Sequence, residues 1–287
     1  MSRSHGRIAF HLLLFALMPL APATEFSAVG QAAGSDQKTN DRPSRVTTGL
    51  QVFYNFADAS GEIVKDQSGV DDPIHLKIVD GNAVRRSAGS LQIVRRTTIR
   101  SERPARKLID SVRGSGAITI EAWVEPANAT QSGPARMVTL SKNANERNFT
   151  LGQDGDDFEV RLRTTGTSTN GIPAVVTPGK SAHPRLTHVA YTHSRNGRTQ
   201  IFVDGRSAIQ KKIPGLPSNW NADFEFALGN ELSGDRPWLG TFHLVAIYNR
   251  DLTSDEIGQN FRAGPNGDSS PDMVTQSNPG KLLFETQ

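Results

Sequence analysis

Short runs in which β-branched and aromatic residues alternate with polar ones recur along most of the chain, and this period of two predicts strands. Nine runs carry the pattern. They are Leu50 to Phe56, Ala117 to Val124, Met137 to Ser141, Asn148 to Gln153, Phe158 to Thr164, Leu186 to His193, Thr199 to Asp204, Phe224 to Leu228 and Phe242 to Tyr248. Asn196-Gly197 joins two of them as a hairpin, because glycine supplies the positive φ of a tight turn. Asp154-Gly155-Asp156-Asp157 does the same between two others. Strands joined by hairpins without intervening helices predict antiparallel sheets, since a parallel pair requires a crossover of about a dozen residues.

Helical spacing is confined to Ser254 to Ala263. Thr253 and Glu256 form a capping box, Leu252 and Ile257 staple it, and Gly264 with Pro265 ends the helix. Ile257 and Phe261, four apart, pin this short C-terminal helix to the domain. Residues 24–48 have no apolar period and read as a flexible linker; residues 265–287, with Pro265, Pro271 and Pro279, read as a disordered tail. At the N-terminus, Arg3 and Arg7 precede the apolar run Ile8 to Met18, and Ala21-Pro22-Ala23 supplies small residues, so 1–23 reads as a secretory signal peptide. That run is shorter than the roughly twenty residues of a membrane span, so no transmembrane segment is expected after cleavage. One domain, 49–264, remains.

Among the 287 residues there is no Cys, which removes disulfides, thiolate metal sites and cysteine nucleophiles. An exported chain without Cys fits a bacterial periplasm or surface, so the expected location is secreted, periplasmic or cell-surface. The net charge of +3 falls to +1 without Arg3 and Arg7, and no global attraction to nucleic acid is expected. Charge is nevertheless uneven. From Arg85 to Arg113 nine cations face two carboxylates, Glu102 and Asp110. Arg95, Arg96, Arg100, Arg103 and Arg106 there form a candidate patch for an anionic partner, with Arg suited to bidentate contacts. The alternative is that these arginines are dispersed around a loop and pair with acids elsewhere.

Several strings together resemble the laminin-G-like, concanavalin A-like lectin/glucanase superfamily, in particular the bacterial LamG-like jelly-roll domain. They are Tyr54-Asn55-Phe56 with Gly61 and Asp66-Gln67-Ser68-Gly69, Ile118 to Val124, Thr187 to Ala190, Ile201 to Gly205, and Gly240 through Ile247-Tyr248-Asn249-Arg250 to Glu256-Ile257. The resemblance spans about Gly49 to Gly264 and implies an all-β fold, an antiparallel jelly-roll β-sandwich with a concave face that often binds glycans. It also implies, frequently, one structural calcium. The family's usual Gly-x-Ile-Asp-Glu-Val strand is here Gly240-Thr241-Phe242-His243-Leu244, which loses two acidic positions. Asp66, Asp71 and Asp72 are the carboxylates left to hold such an ion; Asp66 and Ser68 equally suit an Asx turn.

Laminarinase-type members of the superfamily use a strand with two glutamates and an aspartate between them. Here the nearest string is Glu121-Ala122-Trp123-Val124-Glu125, in which Trp replaces the aspartate, so a glycoside hydrolase is an outside reading and no catalytic residue is assigned. Strand parity with Ile118, Ile120, Ala122 and Val124 inward turns Glu121 and Trp123 outward; the same rule turns out Arg161, Arg163 and His188. If these strands share one sheet, Trp123, Glu121, Arg161, Arg163 and His188 form a sugar-binding face, an aromatic plane flanked by charged hydrogen-bonding groups. Trp123 equally suits a core anchor. The loops around Arg136, Lys142, Asn145, Arg147 and Asn148 form a further recognition segment. The expected function is an exported, non-catalytic module that binds a polysaccharide, anionic ones included. The alternative is a protein–protein adhesion module using the arginine-rich surface.

Overall fold

A computed structural model of the protein describes residues 43–266. The expected signal peptide, all but the last six residues of the expected linker, and the tail beyond Asn266 lie outside the described residues. The first half of the fold comprises β1 (Leu50–Tyr54), β2 (Ile63–Val64), β3 (Leu76–Ile78), β4 (Val84–Ser87), β5 (Ser90–Ile93), β6 (Ile99–Arg100), α1 (Arg106–Ser115), β7 (Ile118–Pro126) and β8 (Ala135–Asn143). The second half comprises β9 (Glu146–Asp154), β10 (Asp157–Leu162), β11 (Val175–Val176), β12 (Thr187–His193), β13 (Arg198–Val203), β14 (Arg206–Lys212), β15 (Glu225–Leu228), β16 (Gly240–Tyr248) and α2 (Ser254–Ala263).

Two antiparallel sheets face one another. Sheet A runs β14-β13-β12-β7-β16-β5-β4, with β1 also on β16; sheet B runs β11-β10-β9-β8-β15-β6-β3-β2. All nine predicted strands are present, each within a few residues of its expected ends. The strands that the pattern does not reveal are mostly two to four residues long, too short for an alternation to register. Gly197 takes φ +82° in the β12–β13 turn and Gly155 takes φ +64° between β9 and β10, as the two predicted hairpins require.

The inward face of sheet A contributes Val52, Tyr54, Ile118, Ile120, Val124, Val189, Tyr191, Phe242 and Ile247 to the core between the sheets. Leu140, Phe149, Leu151, Phe158, Val160, Phe226 and Leu228 meet them from sheet B. Each large side chain buried this way contributes roughly 1.5–3 kcal/mol, which makes this layer the main source of stability. Parity in β7 is as predicted, with Ile118, Ile120, Ala122 and Val124 inside.

One helix differs from the expectation. α1 has no side-chain N-cap at Ala105, and its arginines mark it in the sequence as a charged stretch, yet Leu108, Ile109 and Val112 fall on one face and are fully buried in the main core. The helix packs against β1 and the short turn Pro217–Asn219. Its end is a left-handed cap at Gly116, whose N–H donates to the Val112 carbonyl at 2.9 Å. α2 is as predicted, with the capping box between Thr253 and Glu256 and Ile257 buried, although Gly264 is extended in ψ rather than left-handed.

Ile109→Ala should therefore cost about 2–5 kcal/mol and lower Tm by about 5 °C or more, whereas Arg113→Ala on the exposed face of α1 should stay within about 0.5 kcal/mol. Thermal melting of the two variants checks this. A melting point for the isoleucine variant equal to wild type would show that α1 is not part of the core.

Candidate binding site

The five residues expected to share a face are divided between the sheets. β7 and β12 are neighbours in sheet A, with Trp123 opposite His188 and Glu121 opposite Ala190, whereas β10 lies in sheet B. Trp123, Glu121 and His188 do come together on the outward side of sheet A, but that side is covered. α2 and the segment before β1 lie across it, forming a second apolar layer with Leu50, Phe53, Phe202, Leu244, Tyr248, Leu252 and Ile257. The Trp123 indole stacks on Phe261 at 5.5 Å with an interplanar angle of 7° and is 6% exposed. It is an anchor sealed between sheet A and α2, not a solvent-facing platform.

A polar network is enclosed with it. Glu121 Oε1 accepts from Arg45 Nη1 at 2.5 Å and lies 2.9 Å from His188 Nε2, while Oε2 accepts from Asn260 Nδ2 at 2.8 Å. Arg45 Nη2 donates to the Gly264 carbonyl at 2.9 Å, and Val46 N donates to Asn260 Oδ1 at 2.9 Å. Arg45, Glu121, His188 and Asn260 are all buried. The last residues of the expected linker thus lock α2 onto sheet A. Burial opposes ionisation of Glu121, but the Arg45 charge and the His188 contact outweigh it and hold the carboxyl at about 2. With Glu121 enclosed and Glu125 exposed, the two glutamates of β7 do not face a common cleft.

A second polar network lies on the outward side of sheet B, and it too is covered: Arg136, Arg147, Asn148, Thr139, Ser141, Thr150 and Glu231 are all buried, so the expected recognition segment around Arg136 and Arg147 is not a free surface. Arg161 sits there beside Glu159, its Nε 2.5 Å from Oε1, while Arg163 lies past the end of β10, its carbonyl accepting from Trp220 Nε1 at 2.8 Å. Neighbouring strands bring Arg136 and Arg147 onto this face. Arg136 Nε donates to Glu231 Oε2 at 3.1 Å, and Ser141 Oγ donates to Glu231 Oε1. Thr139 Oγ1 bonds Ser141 Oγ at 3.1 Å and Thr150 Oγ1 at 2.8 Å, and Arg147 Nη1 donates to Thr150 Oγ1 at 3.2 Å. Burial and then the neighbouring Arg136 charge lower the Arg147 guanidinium to about 9, so it stays charged at neutral pH. Beside this network a recess of about 430 Å³ opens, lined by Arg100, Ser141, Lys142, Asn221, Phe224 and Glu225 among others. Arg100 Nη2 lies 2.6 Å from Glu225 Oε2 across it. Alternation along β8 and β9 is the signal in the sequence for this face; Glu231, on a loop 90 residues from Ser141, carries none.

The arginine-rich stretch does not form one free patch. Arg100 pairs with Glu225, Arg103 with Asp72 and Arg106 with Asp223, all on other elements, and Arg95 donates to the Asn82 carbonyl at 2.8 Å; Arg96 is exposed. Nor do Asp66, Asp71 and Asp72 fit calcium. Asp66 accepts from the backbone N–H groups of Phe53, Ser68 and Ile74 and from Lys107 Nζ at 2.9 to 3.1 Å, which fills its lone-pair directions. Asp72 holds Arg103, Asp71 is exposed, and among the described residues no three His, Asp or Glu side chains converge as a metal site. The Asx turn at Asp66 is the arrangement present.

Residues 104–258, more than half of the chain, match the Laminin_G_3 family, described as concanavalin A-like lectin/glucanases superfamily. No curated protein matches the sequence. Among solved structures, the binding domain of botulinum neurotoxin DC in complex with rat synaptotagmin II superposes with TM-score 0.58 at 12% identity, over 76% of this chain and 52% of that one. Trypanosoma rangeli sialidase in complex with sialic acid superposes with TM-score 0.56 at 18% identity, over 76% of this chain and 33% of that one. This chain thus corresponds to about half of the toxin domain and a third of the sialidase, and the likeness is one of fold. No helix among the described residues is long and apolar enough to cross a membrane.

Because the folded carboxyl of Glu121 titrates below its ordinary value of 4.5, its contribution is complete above about pH 4.5 and is lost as pH falls towards 2. About 3 kcal/mol of stability should disappear over that interval. Glu121→Gln should destabilise at pH 7 by about 3–5 kcal/mol, by leaving Arg45 uncompensated, and should flatten the acid limb. Urea unfolding from pH 2 to 7 measures both; an unchanged acid limb in the variant would refute the role of Glu121.

Proposed function

The chain belongs to the concanavalin A-like lectin/glucanase superfamily, and we propose that it acts there as an exported, non-catalytic module that binds a polysaccharide. The observation that carries this reading is the preformed recess beside the buried polar network of sheet B. Its wall offers a guanidinium and a carboxylate side by side, Arg100 and Glu225, which take adjacent sugar hydroxyls as donor and acceptor. Asn221 and Lys142 add hydrogen-bonding groups. The strands beneath are tied by the Arg136–Glu231–Ser141 network, so little order is lost on binding.

The non-catalytic part of the reading draws support from β7. Its one acidic pair is divided between a sealed salt bridge and solvent, and Trp123 occupies the position between. A saccharide ligand also agrees with the sialic acid bound by the sialidase of like fold. Affinity per site is modest, because sugar contacts are small and wet.

Affinity electrophoresis through gels containing a panel of neutral polysaccharides tests the assignment. Retardation by at least one polymer is expected. Arg100→Ala and Glu225→Gln should each weaken it about tenfold or more while leaving the melting temperature within a few degrees of wild type. Retention unchanged in both variants would remove the recess from the site, and no retention by any polymer would favour a protein partner.

A further inference from the structure

Cations without an ion pair among the described residues remain on the arginine-rich stretch, at Arg85, Arg86, Arg95 and Arg96, and on the β13–β14 hairpin at the edge of sheet A, where they surround one groove. Between Arg195 and Lys212 the chain carries five cations, Arg195, Arg198, Arg206, Lys211 and Lys212, and one carboxylate, Asp204. That carboxylate is committed. Its Oδ2 accepts from Arg185 at 2.8 Å and its Oδ1 from the His188 N–H at 3.1 Å. None of Arg198, Arg206, Lys211 and Lys212 is in an ion pair among the described residues.

Register places these groups together. Arg198 stands opposite Lys212 and Gln200 opposite Gln210, so the four side chains share the outward face of the sheet, and Lys211 rises from the same edge strand. Arg198, Gln210, Lys211 and Lys212, all exposed, and Asn196 line an open groove of about 510 Å³. Three cations without a counter-charge around one groove create a local positive potential that recruits an anionic ligand. The planar fork of Arg198 suits bidentate contact with a sulfate or carboxylate, and the amides of Gln210 and Asn196 suit hydroxyls beside it.

We infer that this hairpin is the surface on which the protein takes a polysaccharide bearing sulfate or carboxylate groups. The groove has no aromatic side chain, so it lacks the stacking platform of a single-strand nucleic-acid site. None of the large exposed apolar residues, Ile63, Val79, Ile172 and Leu186, belongs to the hairpin, so there is nothing there to insert into a lipid surface. The surface is on the opposite sheet from the Arg100–Glu225 recess and does not depend on it.

Columns of immobilised heparin and of immobilised polygalacturonate, eluted with a salt gradient, distinguish sulfate from carboxylate recognition. Wild type should be retained on at least one. The triple variant R198S/K211S/K212S should elute well before it, with the slope of log K against log salt reduced by about two to three, while melting at the wild-type temperature. R95S/R96S should elute with wild type, and Glu225→Gln should too, even if it loses neutral-polymer binding. The inference fails if wild type flows through both columns, if the triple variant elutes with wild type, or if R95S/R96S loses as much. Tighter binding to duplex DNA than to either polysaccharide, lost in the triple variant, would assign the surface to nucleic acid instead.

Discussion

Sheet A is apolar on both sides at its centre, and the need to cover its outer side governs which surfaces of this protein can bind anything. Phe53, Trp123, Ala190, Phe202, Leu244 and Ala246 would leave an exposed apolar strip if α2 were absent. Leu252, just before α2, covers it together with Ile257 and the stack of Phe261 on Trp123 from the helix itself. Covering the strip also encloses Glu121 and His188, and a carboxylate buried without a partner would be costly. Arg45 supplies the partner, and so the chain before β1 is held under the same cover. The ion pair is best understood as the condition for closing this layer with a glutamate inside it, since a buried pair is itself weak evidence of net stabilisation.

Once that side is closed, recognition is left to the recess beside the buried polar network of sheet B and to the sheet edges. The two surfaces differ in charge balance. On sheet B nearly every cation has an acidic neighbour, Arg136 with Glu231 and Arg161 with Glu159 in the covered network and Arg100 with Glu225 at the recess, so the recess is suited to neutral hydroxyl-rich ligands. On β13–β14, Arg198, Arg206, Lys211 and Lys212 have no acidic partner among the described residues. A linear count of charge along the chain points to residues 85–113, but folding brings Asp72, Asp223, Glu225 and Asp66 to that stretch and neutralises much of it. Lysines on an edge strand also keep it from pairing with other chains, so the two effects reinforce each other.

Much of the architecture was legible along the chain because it is local. Period-two alternation reports which residues of a strand share a side, and the capping box at Thr253 and Glu256 is complete within four residues. α1 was not legible, since its capping residue is Ala105 and only three apolar positions mark its buried face. The five-residue sugar face failed for a related reason. Parity orients Trp123 and Arg161 correctly within their own strands, but it holds no information on whether those strands are in the same sheet.

What the sequence by itself determined, then, is nine of the sixteen strands, their inward residues, the terminal helix and the superfamily. What only the tertiary structure decided is which outward faces stay open and which charges stay unpaired. Arg45 meets Glu121 across 76 residues and Ser141 meets Glu231 across 90. Such pairs leave no period or motif behind, because burial and counter-charge are properties of where distant segments come to rest.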